Sequence, residues 1–316
     1  MKITNLPFIV ILLRRRNSLQ VSLYLNHKRD EIFYIKDAIK SISDNQYDIQ
    51  ERIASGGNAV VHKCVNSSTG DEYAIKFQLT LTENRIKRFK QEISLLKQVE
   101  HNHLIKYVDN GEVNSIVKYK GKKNEIIKNI LFLIMPIADF NLSQYIQKSQ
   151  NKISYADYIA QFKGLVSALA VLHQKAIHRD IKPENILIKG ETWLLSDFGL
   201  CKFFDDNCLD ITHENEPVGP RYWMSPEAVN RSIGNNDEIS IKSDIFQLCS
   251  IFWFVVTGRH PSGVVSKKDW NGPDSIFEPI FNSLYHDPNE RPIDANKLVE
   301  LLHESTLRIP YANELD

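Results

Sequence analysis

Hydrophobic and polar positions divide this chain into a strand-like first part and a helix-like second part, and the pattern changes near Pro136. In the first part, short apolar or alternating segments are separated by turn signals such as Gly56-Gly57 and residues 68–70. These segments predict five strands, over residues 47–54, 60–66, 72–78, 104–117 and 129–135.

One helix is predicted between the third and fourth of these strands. Thr82 is a suitable N-cap residue, and Glu83 suits the first helical turn. Apolar residues at helical spacing mark one face of this helix, formed by Ile86, Phe89, Ile93 and Leu96. After Pro136 the periodicity is mostly helical and predicts helices over residues 142–150, 155–174, 241–257 and 276–285. The whole pattern is that of an α+β protein.

Residues 1–46 form an extension that precedes the first of the five strands. Residues 18–25 alternate polar and apolar side chains, as in a half-buried strand, and we interpret the apolar run over residues 8–13 as a buried strand. An accessory layer against the first part of the chain is the simpler interpretation of this extension. A regulatory element is the alternative.

Composition and charge exclude several classes of protein. The 316 residues suit one bilobal unit or two domains, and the 39 basic and 39 acidic residues cancel, so no bulk attraction to nucleic acid or an anionic membrane is expected. The apolar runs are far shorter than the ~20 residues of a membrane helix. The first run is followed by Arg14-Arg15-Arg16 without a small-residue cleavage site, so we expect no signal peptide. The four cysteines lack paired-ligand spacing, which favours a reduced, cytoplasmic setting without a zinc site.

Candidate chemistry is concentrated in two short polar strings. The first is His178-Arg179-Asp180-Ile181-Lys182-Pro183-Glu184-Asn185, and the second is Asp197-Phe198-Gly199. Phosphoryl transfer from ATP needs a carboxylate that orients the attacking hydroxyl and oxygen ligands that hold Mg²⁺ on the phosphates. The two strings contain both kinds of group within 18 residues.

These strings resemble those of the protein kinase superfamily, and more closely those of the eukaryotic-type Ser/Thr protein kinases, whose H-R-D-x-K-P-E-N pattern is matched in register. The resemblance implies a bilobal α+β fold. Its small β-rich N-lobe, with one main helix, would span residues 47–135, and its larger, mostly helical C-lobe would span residues 136–305. Residues 306–316 would form a C-terminal tail.

The resemblance also implies catalytic and metal-binding roles. Asp180 would be the catalytic base for the substrate hydroxyl, and Lys182 would offset the charge on the γ-phosphate. Asn185 and Asp197 would supply oxygen ligands to Mg²⁺. Lys76, in a string that looks like the family's V-A-I-K, would neutralise the α- and β-phosphates.

The ATP site implied by the resemblance is formed mainly by the first lobe. A carboxylate must hold Lys76, and Glu92 on the predicted helix is the candidate. Only Gly56 matches the family's glycine-rich loop, because Ala54 and Ala59 replace its outer glycines. The hinge between the lobes would lie near residues 134–138. The expected nucleotide-binding residues are Ile53, Ala54, Gly56, Gly57, Val61, Ala74, Lys76, Glu92 and Met135.

Three positions after the second string resemble the framework that supports a peptide substrate. Glu227 would form a buried ion pair with Arg291, and Asp244 would accept hydrogen bonds from the backbone of the catalytic loop. This framework points to a protein kinase, with Ser/Thr side chains of proteins as phosphate acceptors. The polar stretch 261–273 predicts that the helix usually found there is reduced.

Two departures from the family pattern concern the segment after Asp197. Pro220 stands where Ser/Thr kinases usually place a threonine that bridges Asp180 and Lys182. Thr212 is the only hydroxyl residue between Phe198 and Met224 besides Tyr222. We therefore hypothesise that Glu214 or Glu216 supplies standing negative charge to Arg179 in place of a phosphate; a mobile acidic loop is the alternative.

Two other functions stay open at this point. The first is a catalytically weak pseudokinase that acts as a nucleotide- or protein-binding module, which Ala54, Ala59 and Pro220 would favour. The second is a small-molecule phosphotransferase, which fits poorly with Glu227 and Asp244.

Overall fold

The structure is a computed structural model that describes residues 20–150, 153–204 and 222–307, without the side chains of residues 306 and 307. Several expectations lie outside the described residues. They are the strand over residues 8–13, the tail beyond residue 307, and the statements about Thr212, Glu214, Glu216 and Pro220.

A single antiparallel sheet of eight strands forms the first lobe, in the order β1-β2-β7-β8-β6-β5-β4-β3. Its strands are β1 (Gln20–Leu25), β2 (Lys28–Lys36), β3 (Ala38–Lys40), β4 (Gln46–Ser55), β5 (Ala59–Asn66), β6 (Glu72–Gln78), β7 (Asp109–Tyr119) and β8 (Glu125–Pro136). The five predicted strands are confirmed as β4 to β8, and three strands of the N-terminal extension join the same sheet. The strand predicted within residues 18–25 is confirmed as β1.

The fourth and fifth predicted strands differ from the structure in their bounds. β7 begins at Asp109 rather than at residue 104, because the preceding residues pair elsewhere: Leu104 forms a bridge with Leu195, and the amide of Ile105 donates to the Leu195 carbonyl at 2.9 Å. β8 begins at Glu125, so the lysine-rich loop is shorter than expected.

The strands of the extension lie at the two edges of this sheet and contribute side chains to its apolar cluster. Leu23 on β1 and Phe33 on β2 are buried in the same apolar cluster as Val60, Phe77 and Phe132 from the central strands. β1 contacts β5 although four strands lie between them in the sheet order, so the sheet curls around this cluster. Burial of these side chains joins the extension to the lobe.

Seven α-helices lie in the described residues: α1 (Glu83–Leu96), α2 (Leu142–Lys148), α3 (Tyr155–Leu172), α4 (Pro226–Ser232), α5 (Ile241–Thr257), α6 (Phe277–Asn282) and α7 (Ala295–Leu307). Five of the seven correspond to predicted helices, whereas α4 and α7 were not predicted. On α1, Phe89, Ile93 and Leu96 are buried, as their spacing predicts, and Ile86 is half-buried. Thr82 occupies the N-cap position, but its side chain makes no capping hydrogen bond. None of the helices in the described part of the chain is both long and apolar enough to cross a membrane.

Five short strands lie in the described residues of the second lobe. β9 (Phe140–Asn141), β11 (Ile186–Lys189) and β12 (Thr192–Leu195) form a sheet in the order β12-β11-β9, and β10 (Ala176–Ile177) pairs with β13 (Lys202–Phe203). In the β11–β12 hairpin, Ile186 lies opposite Leu195. Because antiparallel partners lie side by side, this register brings the residues just before β11 next to those just after β12.

The chain between α5 and α6 contains two 3₁₀ turns, Lys267–Asp269 and Asp274–Ile276, and no α-helix. The prediction of a reduced helix is confirmed. Trp270 fills the core at this place, with its ring centroid 5.2 Å from that of Trp253. Gly272 packs so closely on Val256 of α5 that a Cβ at this position would clash.

Candidate active site between the lobes

The sheet register places several of the expected nucleotide residues on one face of the first lobe. Val61 lies opposite Ala54 on one side and opposite Lys76 on the other, and Ala74 lies opposite Met135. Residues directly opposite each other in a sheet, and residues two apart on one strand, project from the same face. Side chains from four strands are therefore brought to the face on which Lys76 lies.

Lys76 joins the two lobes. Its Nζ is 2.7 Å and 3.0 Å from the two carboxylate oxygens of Glu92 on α1, and 2.9 Å from Oδ1 of Asp197 in the second lobe. The pairing of Lys76 with Glu92 that was expected from the sequence is confirmed. The side chain of Glu92 is buried and that of Lys76 is 14% exposed, whereas that of Asp197 is 46% exposed.

The charges in this cluster shift one another's pKa values. The ammonium of Lys76 lowers the pKa of Asp197 to about 2, which outweighs the opposing effect of desolvation. Burial alone would lower the pKa of Lys76, but the carboxylates of Asp197 and Glu92 raise it above its ordinary value. Burial raises the pKa of Glu92, and Lys76 opposes that rise. At neutral pH, Lys76 is therefore an ammonium and Asp197 a carboxylate.

A second cluster lies in residues 178–185, the candidate catalytic loop. Lys182 Nζ lies 2.8 Å from Oδ2 of Asp180, and Nδ2 of Asn185 donates to the same oxygen at 3.0 Å and to the Asp180 carbonyl at 2.9 Å. Burial raises the pKa of Asp180, and the positive charge of Lys182 opposes that rise. The Asp180 carboxylate is thus held in one orientation, and protonation is easier than for an exposed aspartate.

Ser196 connects the two clusters. Its backbone amide and its hydroxyl donate to the Asn185 carbonyl at 2.9 Å and 2.8 Å, and Asp197 follows directly in the chain. His178 Nε2 lies 3.1 Å from the Ser196 carbonyl, so the imidazole ring also contacts the residue before Asp197. Sequence reasoning did not single out Ser196; its position directly before Asp197 was the only available signal.

Side chains of α5 accept hydrogen bonds from the backbone of the candidate catalytic loop. Asp244 accepts hydrogen bonds from the amides of His178 and Arg179 at 2.7 Å and 2.8 Å, which confirms the role expected from the sequence. Gln247, one turn further along α5, accepts from the Ile181 amide at 3.1 Å and was not foreseen. Arg179 has a φ of 68°, a left-handed conformation that a non-glycine residue rarely adopts. The two bonds to Asp244 compensate for this strain.

The expected ion pair between Glu227 and Arg291 is also confirmed. Arg291 donates from both terminal nitrogens to the two carboxylate oxygens of Glu227, each at 2.8 Å, and Ser243 Oγ donates to Glu227 Oε1 at 2.6 Å. Both ionic side chains are buried. Burial would raise the pKa of Glu227, but the bonds from Arg291 and Ser243 outweigh it and lower the pKa.

The donor set between the lobes fits a magnesium ion bound together with phosphate groups. The amide nitrogen of Asn185 is used by Asp180, which leaves its Oδ1 without a hydrogen bond among the described contacts, and Asp197 uses only Oδ1 for Lys76. Mg²⁺ prefers oxygen ligands and usually takes one or two from the protein beside substrate phosphates. Within the described ranges, no group of three or more His, Cys, Asp or Glu side chains could hold a metal ion.

Among the described residues, the glycine-containing loop is the part of the expected site for which no polar contact with the other site residues is seen. Gly56 closes a tight turn, in which its amide donates to the Ala59 carbonyl at 2.9 Å, and Ile53 is exposed. Neither Gly56 nor Gly57 has a positive φ, and a Cβ on Gly57 would meet open space. The backbone conformation itself therefore does not require these glycines.

Comparison with known proteins gives a match to the family model described as "Protein kinase domain", over residues 47–307. A probable serine/threonine-protein kinase of Clostridium acetobutylicum is 25% identical over 83% of this chain and 37% of its own length. The serine/threonine-protein kinase PrkC of Bacillus subtilis is 27% identical over 78% of this chain and 38% of its own. A probable serine/threonine-protein kinase of Dictyostelium discoideum is 30% identical over 84% of this chain and 53% of its own. The chain thus spans between about a third and about half of the length of these relatives.

Proposed function

The chain belongs to the protein kinase domain family, and from that membership we propose that it transfers the γ-phosphate of ATP to Ser and Thr hydroxyls of protein substrates, with Mg²⁺ as cofactor. One observation carries the proposal. Lys76 in the first lobe is ion-paired with both Glu92 and Asp197, and Asp197 is linked through Ser196 to the cluster of Asp180 and Asn185.

In this proposal, Lys76 and Lys182 bind phosphate groups from two sides. Glu92 fixes the direction of the Lys76 ammonium, and that ammonium faces the cleft next to Asp197. Lys182 is half-buried beside Asp180, where it offsets negative charge that develops during transfer. Ile53, Ala54, Gly56, Gly57, Val61, Ala74 and Met135 would surround the rest of the nucleotide.

Asp180 is the proposed acceptor of the substrate proton. Its carboxylate is held by Lys182 and Asn185, so it can orient a hydroxyl without reorganising. Its raised pKa makes it a better proton acceptor than an exposed aspartate would be. Asn185 and Asp197 would hold Mg²⁺, which when bound neutralises charge on the phosphates. 

The contacts favour an active enzyme over a pseudokinase. Lys76, Glu92, Asp180, Asn185 and Asp197 are all present and linked by hydrogen bonds or ion pairs. Neither Ala54 nor Ala59 has a positive φ, so alanine adopts both backbone conformations without strain. The ion pair between Glu227 and Arg291 supports a protein substrate over a small-molecule acceptor.

The proposed setting is reduced and cytoplasmic. The three cysteines in the described part of the chain, Cys64, Cys201 and Cys249, are free thiols. Burial raises the pKa of Cys64 and Cys249 to about 12, so neither is readily ionised.

Transfer of label from γ-labelled ATP to a generic protein such as casein tests the proposal. We expect label on phosphoserine or phosphothreonine that depends on Mg²⁺ and is absent with Asp180→Asn. Retained MgATP binding without any transfer would favour the pseudokinase. Transfer to small molecules alone would favour the third candidate.

A pH profile tests the role of Asp180 more closely. As the solution is acidified, kcat/KM of Lys182→Met is expected to fall at a higher pH than kcat/KM of the wild type. Lys182 lowers the pKa of Asp180, so its removal lets burial raise that pKa further. The measurement is kcat/KM for the protein substrate from neutral to acidic pH. Lys189→Met, at an exposed position at the end of β11, is the matched control. An acidic limb that stays in place in Lys182→Met would contradict the assignment.

A further inference from the structure

Arg52 lies on β4, the strand that leads into the glycine-containing loop around Gly56 and Gly57 (the phosphate loop). Its side chain contacts the N-terminal hairpin formed by β1 and β2. Its Nη2 donates to Oδ1 of Asn26, in the turn of the hairpin, at 2.9 Å. The centre of its guanidinium lies 4.5 Å from the ring centroid of Tyr24 on β1. One side chain therefore makes both a hydrogen bond and a cation–π contact with the hairpin.

Two irregularities in β4 place Arg52 in this position. The register with β5 shifts between Ile49 and Arg52, and again between Arg52 and Ala54. Each shift adds one residue to β4, which is the signature of a β-bulge. Bulges bend a strand and change the direction of its side chains. Arg52 lies between the two bulges, and the phosphate loop follows within four residues.

The hairpin is a firm support for this contact. Leu23 and Leu25, on either side of Tyr24, are buried in the apolar cluster of the first lobe, as is Phe33 on β2. β4 is also held at its other end, where the amide of Ile49 donates to the carbonyl of Asp37 at 2.7 Å. Beyond Arg52 the described contacts of the loop are few, since Ile53, Ala54, Gly56 and Gly57 are exposed.

We propose that Arg52 is a positioning residue for the nucleotide: by binding Tyr24 and Asn26 it fixes the end of β4, and with it the phosphate loop, against the N-terminal hairpin. The inference rests on the proposed function, because it assigns the hairpin a part in ATP binding. Arg52 acts through the backbone of Ile53 to Gly57 and does not itself need to touch the nucleotide.

The test measures the Kd of MgATP and the hydrogen exchange of the amides of residues 53–58. Arg52→Ala is expected to raise the Kd about three- to tenfold, because an exposed cation–π contact and a hydrogen bond to a charged group are lost together. Exchange of the loop amides should quicken in the same variant. Tyr24→Leu should give a smaller rise, and adding it to Arg52→Ala should give little more, since both changes remove one contact. Arg52→Lys, which keeps the charge, should restore part of the affinity.

Lys118→Ala is the matched control. Lys118 also places its ammonium over a hairpin ring, 5.3 Å from that of Tyr34, but it lies on β7 rather than on the strand of the phosphate loop. Its removal should leave the Kd and the exchange of residues 53–58 unchanged. An unchanged Kd in Arg52→Ala, or an equal rise in Lys118→Ala, would overturn the inference. A wild type that binds no nucleotide would overturn the proposed function instead, and loop exchange would still show whether Arg52 holds the loop.

Discussion

Replacing Asp180 with asparagine is expected to lower kcat by about 10²–10⁴-fold, the range typical of a positioned proton acceptor. Asparagine has nearly the same shape and keeps an oxygen for Lys182 and Asn185, but it has no negative charge to orient and receive the hydroxyl proton. The Kd of MgATP should change far less, because Lys76 and Asp197 are left intact. The measurement is steady-state kcat on a generic protein substrate, with nucleotide affinity measured on the same preparation.

Asp71→Asn is a suitable control for the Asp180 variant. Asp71 is an exposed aspartate in the turn between β5 and β6, so the same chemical change there should leave kcat near the wild-type value. If Asp180→Asn keeps most of the wild-type kcat, the proton acceptor lies elsewhere and the assignment of Asp180 is wrong.

The second large effect is on stability. Arg291→Ala is expected to lower the free energy of unfolding by about 3–5 kcal/mol, the usual result of removing one partner of a buried ion pair. The Glu227 carboxylate would keep the hydroxyl of Ser243 but lose its cationic partner, and it would stay buried as an uncompensated charge. Arg291 also donates to the carbonyls of Lys242, Tyr285 and His286, and those acceptors would lose their partner as well.

Equilibrium unfolding in denaturant measures this change in the free energy of unfolding. Arg259→Ala is the matched control, because Arg259 is exposed and such surface substitutions usually stay within about 0.5 kcal/mol. A loss below about 1 kcal/mol in Arg291→Ala would mean that the pair is not a main support of the second lobe.

The sequence was most informative where chemistry requires residues at fixed short spacings. Asp180, Lys182 and Asn185 lie within six residues, and the hairpin that follows has a register that returns the chain to Asp197 beside them. The pairing of Lys76 with Glu92 could also be predicted, because a strand and the next helix bring them together. Local sequence therefore determined most of the candidate site.

Contacts between distant segments could not be predicted in the same way. β2 pairs with β7, and the partners Glu31 and Tyr119 are 88 residues apart, so nothing in the local sequence of β2 indicated that partner. The contact of Arg52 with Tyr24 depends on two bulges and on the curl of the sheet, neither of which has a sequence signal here. The sequence did not distinguish Gln247 from other polar residues on a helix; the structure shows that its Oε1 accepts a hydrogen bond from the Ile181 amide.

We propose that Lys76, Asp180, Asn185 and Asp197 line one cleft and surround the phosphates of ATP there. A crystal structure with a non-hydrolysable ATP analogue and Mn²⁺, with the metal located by its anomalous signal, tests it most directly. We expect the phosphates beside Lys76 and the metal at the oxygens of Asn185 and Asp197. A nucleotide bound elsewhere, or a metal held by neither residue, would contradict the claim.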